Sequence, residues 1–169
     1  MAESSVTVRT RETVEGRAAI CDAILRGLPD WFGIEESIRH YVEDVESLPV
    51  IVAEVEGEIV GFLAIRRHTP DASEIHVMGV KSSHHRQGVG RALVRAAERH
   101  VLDLSGSYLQ VKTLSSRRES RAYEATRRFY AAMGFVPLEE MPGLWGPGNP
   151  CLVMVKHLCE PGLRMASPP

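Results

Sequence analysis

Six residues, His85, Arg86, Gln87, Gly88, Val89 and Gly90, form a glycine-punctuated turn that follows an apolar, strand-like run and opens, from Arg91, an amphipathic segment. The first N–H groups of a helix have no intrahelical partner and the macrodipole adds partial positive charge, so such a junction can seat a phosphate on the main chain itself. The same glycines equally suit a tight strand-to-helix connection. Ahead of the turn, Glu74 and His76 are two residues apart, on one face of a strand. An imidazole titrates near neutrality and suits proton abstraction, while a carboxylate can do the same through a water or once burial raises its pKa. As polar residues on a solvated sheet face, both would need no further role. Cys21, Cys151 and Cys159 are odd in number and scattered, which argues against a disulfide framework and a zinc spacing. No base stands beside Cys151 in sequence to activate its thiol. No metal is expected.

These groups need elements to hold them. Val6 and Val8 alternate in a short strand over 5–9, and apolar residues from Ala18 to Leu28 recur at helical spacing. A second, acidic helix is expected over 34–47, between Gly33 and Pro49. Residues 50–55 and 59–65 are β-branched runs joined by Glu56, Gly57 and Glu58, the composition of a hairpin. A third strand over 74–80 places Ile75 and Val77 on one face and Glu74, His76 and Met78 on the other, with a bulge or a splayed strand expected where Gly79 breaks the alternation. A helix follows the glycine turn, then a strand over 108–113. A further helix begins near Ser120, with Ala122, Ala125, Phe129 and Met133 as its buried stripe and Gly134 at its C-cap. Residues 142–150 are a loop rich in Pro and Gly, and 151–155 a last strand.

A chain of 169 residues, 44% of them apolar, suffices for one domain with a real core, here about 6–158 with a flexible tail over 159–169. Nothing approaches the roughly 20 apolar residues of a membrane span, and the first residues lack the order of a secretion signal, so a cytoplasmic protein is expected. The net charge of -2 conceals segregation: residues 1–60 carry 13 acidic and 5 basic side chains, residues 81–130 carry 11 basic and 4 acidic. A basic middle suits a polyanion. With no nucleic-acid motif or interleaved aromatics, a phosphate-bearing small molecule fits it better than DNA or RNA, and a solvated helix face explains part of it.

The order hairpin, bulged strand, glycine turn, helix, strand and helix resembles the GNAT acetyltransferase superfamily over residues 6–158. Two motifs at the right separation carry the resemblance: the turn at 85–90, and Phe129, Tyr130 and then Gly134, Phe135 in the pattern Phe-Tyr-x-x-x-Gly-Phe. The turn departs from the family pattern in having His85 where Arg or Gln is common, and Tyr123 stands where many relatives carry Asn.

The resemblance implies an α/β fold with a mixed, mostly antiparallel sheet, a splayed central strand and flanking helices. It implies an N-acetyltransferase that moves an acetyl group from acetyl-CoA to a primary amine of a small molecule or peptide by direct attack in a ternary complex. The pantetheine arm would pair with backbone at Met78, Gly79 and Val80. The diphosphate would rest on Gln87, Gly88, Val89 and Gly90, flanked by His85, Arg86 and Arg91, with Tyr123 nearby. Tyr130 resembles the family's general acid, and Glu74 or His76 is the base. The acceptor pocket is expected from Asp30, Trp31, Phe32, Trp145 and Asn149. Expected partners are acetyl-CoA and an amine, with no nucleic acid and no membrane; a homodimer is allowed. The alternative is a noncatalytic domain that binds or senses acyl-CoA.

Overall fold

A computed structural model describes residues 6–158. The tail at 159–169 and residues 1–5 lie outside the described residues. The strands are β1 (Val8–Thr13), β2 (Val50–Val55), β3 (Glu58–Arg67), β4 (Ala72–Val80), β5 (Tyr108–Leu114), β6 (Val136–Met141) and β7 (Cys151–His157). The helices are α1 (Arg17–Arg26), α2 (Glu35–Asp44), α3 (Val89–Asp103) and α4 (Arg121–Ala132). All seven strands form one sheet in the order β1-β2-β3-β4-β5-β7-β6, antiparallel throughout except for β4 beside β5. The mixed, mostly antiparallel sheet with flanking helices is therefore as expected. The first strand is not at 5–9: it pairs with β2 from Val8 opposite Val55 to Thr13 opposite Val50. Inter-strand pairing, which a short alternation cannot report, sets its limits.

The helices cover both faces of the sheet. On one face the apolar stripe of α3, including Leu93, Val94, Ala97 and Val101, joins a core with Ile51, Leu63, Ile65 and Leu109. On the other, Cys21, Ile24 and Leu25 of α1 and Ile38 of α2 join Val50, Val52, Phe62 and Ala64. Among the described residues no helix is long and apolar enough to cross a membrane.

Strand β4 departs from the expected two-residue alternation. Its register against β3 shifts so that Ala64 faces Val77 while Ile65 faces Ile75, leaving His76 as the extra, bulged residue. One bulge inverts the facing of every residue beyond it. Ile75 therefore joins the α3-side core and Val77 the α1/α2-side core, and Met78 packs with Ile75 rather than beside Glu74 and His76. The bulge lies at His76 and not at Gly79, where the strand is instead splayed from β5. Gly79 answers a packing need: a Cβ there would stand 2.8 Å from Ile24 Cγ2 and 3.2 Å from Phe62 Cε1.

Beyond this bulge the sheet opens. β4 and β5 pair only from Ala72 opposite Tyr108 to Ile75 opposite Val111, after which they part. Helix α4 flanks the opening, rolled relative to the stripe expected from its sequence. Tyr130 and Met133 enter the core, whereas Phe129 is half-buried and Ala125 exposed.

Candidate active site

The gap between the parted strands is a cleft of about 420 Å³. Met78, Gly79 and Val80 line one side, the turn and the start of α3 close one end, and Phe129 and Tyr130 of α4 form the opposite wall. Within the turn, Arg86 and Gly88 have left-handed backbone, at φ 59° and 84°. Apart from its chain neighbours, no residue comes within 4 Å of where a Gly88 Cβ would be, so the turn is open on that side. The first bond of α3 runs from Ala92 N–H to the Gly88 carbonyl at 3.0 Å, so the N–H groups of Val89, Gly90 and Arg91 precede the helical ladder. Gly90 is bare for a second reason: its Cβ would meet Phe129 Cζ at 3.2 Å, so its absence lets α3 and α4 approach.

His85, Arg86, Gly88, Gly90 and Arg91 all border the cleft. Gln87 and Val89 do not: the Gln87 amide donates to the Ser83 carbonyl at 3.0 Å and pins the turn, while the Val89 side chain is buried in the core. His85 does not reach toward the open amides. Its Nε2–H donates to the Val80 carbonyl at 2.7 Å, strapping the turn to the end of β4, and its ring meets that of Trp31 edge-on at 5.6 Å. Tyr130 is 4% exposed, packed edge-on against Phe129 and Phe135. Burial raises its phenol well above the usual value, so it stays protonated.

A second cavity, of about 580 Å³, adjoins the first. Asp30, Trp31, Phe32, Trp145 and Asn149, widely separated in sequence, all line it. Trp31 and Phe32 border both cavities and form their shared wall. Helix α4 fixes that wall: Trp31 Nε1–H donates to Thr126 Oγ1 at 2.9 Å, and the Tyr123 hydroxyl donates to the Trp31 carbonyl at 2.8 Å. Tyr123 thus lines this second cavity and not the cleft. Burial raises its phenol, while the Arg118 cation pulls in the opposite direction.

Sequence reasoning missed Tyr41 and Arg118, both of which line the second cavity. Tyr41 reads as one more apolar residue on the α2 stripe. The only signal for Arg118 was the density of arginines between β5 and α4. Burial first, then the neighbouring Tyr123, Glu74, Asp44 and Cys151, pushes the Tyr41 phenol up to about 12.

Glu74 and His76 border neither cavity; they lie behind Tyr41, held by other partners. The Glu74 carboxylate accepts from Lys112 Nζ at 2.7 Å, His68 Nε2 at 2.5 Å and Gln110 Nε2 at 3.4 Å. Burial would raise its pKa, but the hydrogen bonds and charges of Lys112 and His68 outweigh that and hold it below the usual carboxylate range. His76 Nε2 is 2.7 Å from Asp44 Oδ2 and 3.3 Å from Arg66 Nη2, and its ring meets Tyr41 at 5.5 Å. Burial, and then the Arg66 charge, lower its pKa in spite of Asp44, so the imidazole is neutral at pH 7. A neutral ring that donates from Nε2 to the Asp44 carboxylate carries its lone pair on Nδ1.

The model of the acetyltransferase (GNAT) domain matches residues 46–137, which include β2 through α4 and so the cleft lining from β4, the glycine turn and α4, but not Leu28, Trp31 and Phe32. Among solved structures, a Desulfovibrio desulfuricans protein assigned to the GNAT family is similar at TM-score 0.78 and 18% identity, over 90% of this chain and 100% of that one. An aminoglycoside 6'-N-acetyltransferase complexed with coenzyme A is similar at TM-score 0.71 and 20% identity, over 90% and 98% of the two chains. The ribosomal-protein-S18-alanine N-acetyltransferase from Escherichia coli is similar at 0.70 and 14%, over 94% and 100%. No curated protein matches the sequence significantly. At these identities the structural likeness establishes a shared fold; the domain match establishes kinship.

Proposed function

Since this chain belongs to the GNAT acetyltransferase family, we propose that it transfers an acetyl group from acetyl-CoA to the primary amine of a small molecule, by direct attack with both substrates bound. The observation that carries this reading is the pair of cavities meeting at Trp31 and Phe32. One ends in a phosphate-compatible turn, the other is a separate aromatic chamber, so a thioester and an amine can meet without a protein-bound intermediate. The two cysteines among the described residues support this. Burial pushes the Cys21 thiol up to about 12 and Cys151 to about 11, leaving neither as an acyl-accepting thiolate.

The free N–H groups of Val89, Gly90 and Arg91 and the side chains of Arg86 and Arg91 fit a diphosphate. The edge of β4 beyond Ile75, unpaired by β5, fits an extended amide-bearing arm. Acetyl-CoA supplies an acyl carbon activated as a thioester. The amine forms the C–N bond as the C–S bond breaks; one amine proton leaves and the sulfur gains one. Tyr130 answers the sulfur. A buried phenol with a pKa raised above about 10 is a weaker acid than a thiol near 8.5, so its role is to hydrogen-bond the departing thiolate, which takes its proton from solvent. We assign the surplus amine proton to His76 through water past Tyr41, because its imidazole is neutral, whereas Glu74 is neutralised by Lys112 and His68.

Tyr130→Phe is the test. Binding of acetyl-CoA, read by calorimetry, is expected to be unchanged, while kcat falls about 10²-fold or more. A wild-type protein that binds acetyl-CoA but releases no thiol with any amine would instead be the noncatalytic sensor.

A further inference from the structure

The chamber beyond Trp31 is unusual in what lines it. Both of the chain's tryptophans and two of its four tyrosines are there, with Phe32. Aromatic walls favour a guest that presents a flat, apolar face, as an aromatic ring does. Its charged residues are Arg118, Asp30 and Glu119, none of them in an ion pair among the described residues. Arg118 Nη1 donates to the Gly148 carbonyl at 3.4 Å and to Asn149 Oδ1, both neutral acceptors. Its neighbour Arg117 pairs with Glu140 at 2.7 Å, but Arg118 has no ion pair among the described residues. Its charge is felt inside the chamber, where it acts on Tyr123. Asp30 also lines the chamber, adjacent to Trp31 at the wall shared with the cleft, and has no ion pair among the described residues either.

A guanidinium anchored through one nitrogen to neutral oxygens keeps other donors for an incoming carboxylate, the group it matches best. The geometry points to an acceptor that is a small zwitterion, an aromatic α-amino acid or close analogue, with its carboxylate on Arg118, its ring between the aromatic walls and its amine toward Asp30 and Trp31. This rests on the transferase reading and adds the substrate class. A polycationic amine could meet Asp30 and Glu119 but would leave Arg118 without a carboxylate partner.

The experiment compares phenylalanine, phenylalaninamide and spermidine as acceptors by thiol release, and as ligands of the CoA-bound protein by calorimetry, in wild type and Arg118→Gln. Arg118 is exposed, so the variant is expected to fold and to bind acetyl-CoA normally. The acid is expected to outperform the amide by about 10- to 100-fold, with the ratio falling toward one in Arg118→Gln while the amide is unchanged. An amide or spermidine used as well as the acid, a variant that weakens acid and amide alike, or no binding of any of the three to CoA-bound protein overturns the inference. Thiol release with the amide or spermidine keeps the transferase reading even then. Failure to bind acetyl-CoA overturns the transferase reading itself, and the inference with it. Tight binding of the acid with no thiol release would uphold the pocket while removing the activity.

Discussion

Glu74 and His76, two residues apart, meet opposite electrostatic fates. Glu74 is ionised, buried and hydrogen-bonded by Lys112 and His68; His76 is neutral with a carboxylate and a guanidinium at its Nε2. The unfolded chain binds a proton at glutamate near pH 4.3, and the folded chain only at lower pH, so ionised Glu74 stabilises the fold above about 4.3 and that stability is lost as pH falls through the folded pKa. Glu74→Gln is therefore expected to lose about 1–3 kcal/mol at pH 7, leaving Lys112 unpaired, with the deficit shrinking as urea unfolding is repeated toward pH 3.5. In the proposed mechanism His76 works in the other direction, as a group that must stay unprotonated to accept a proton. Because its pKa is lowered, a base at this position would remain competent below the usual imidazole value of about 6.5. Once the acceptor's own ionisation is corrected for, the acid limb of kcat/KM is expected below pH 6.5. His76→Gln is expected to abolish that limb and lower kcat about 10²-fold.

Helix α4 connects the two cavities because Tyr123, Thr126 and Tyr130, at i, i+3 and i+7, share one face. The first two hold Trp31 through its carbonyl and indole, and the third reaches the cleft, so one element sets both the dividing wall and the phenol that lines the cleft. Strand β4 depends on α1 in a comparable way. The glycine at 79 lets α1 pack directly on the strand that lines the cleft. Gly79→Ala would force its methyl against Ile24 and the fully buried Phe62. Overpacking of this kind typically costs about 1–3 kcal/mol, and a lowered urea midpoint with unchanged m is the expected readout.

For the whole molecule, the two parts of the sheet, β1 to β4 and β5 to β7, are joined by strand pairing only at the short parallel stretch ending at Ile75 and Val111. A ligand in the cleft touches β4, α3 and α4 together and so bridges both parts. Binding to the folded state alone stabilises by about 2.7 kcal/mol at a hundredfold excess over Kd, which for a chain of this size raises Tm by about 5–10 °C. Acetyl-CoA is expected to give that shift in a thermal melt, with slowed amide exchange in Val89, Gly90 and Arg91. A melt unmoved by saturating acetyl-CoA would remove the cleft from the cofactor reading.

The amino-acid sequence determined whatever depends on a dozen neighbouring residues or fewer. The glycine turn at the head of α3, the hairpin of β2 and β3, the N-cap at Ser120, and Tyr130 beside Phe129 are all set by local periodicity, backbone freedom and capping. The loops that line the second cavity were also legible, since Trp31, Phe32 and Trp145 stand in segments rich in Pro and Gly. What only the tertiary structure decided depends on groups remote in the chain. The slip of one residue at His76 is fixed by pairing with β3, and it reverses the facing of Val77 and Met78. Tyr123 donates to a carbonyl 92 positions away, and Glu74 is neutralised by a lysine 38 positions away. Charge state and accessibility arise from neighbours in space, and periodicity along a chain holds no information about which distant side chain arrives at 2.7 Å.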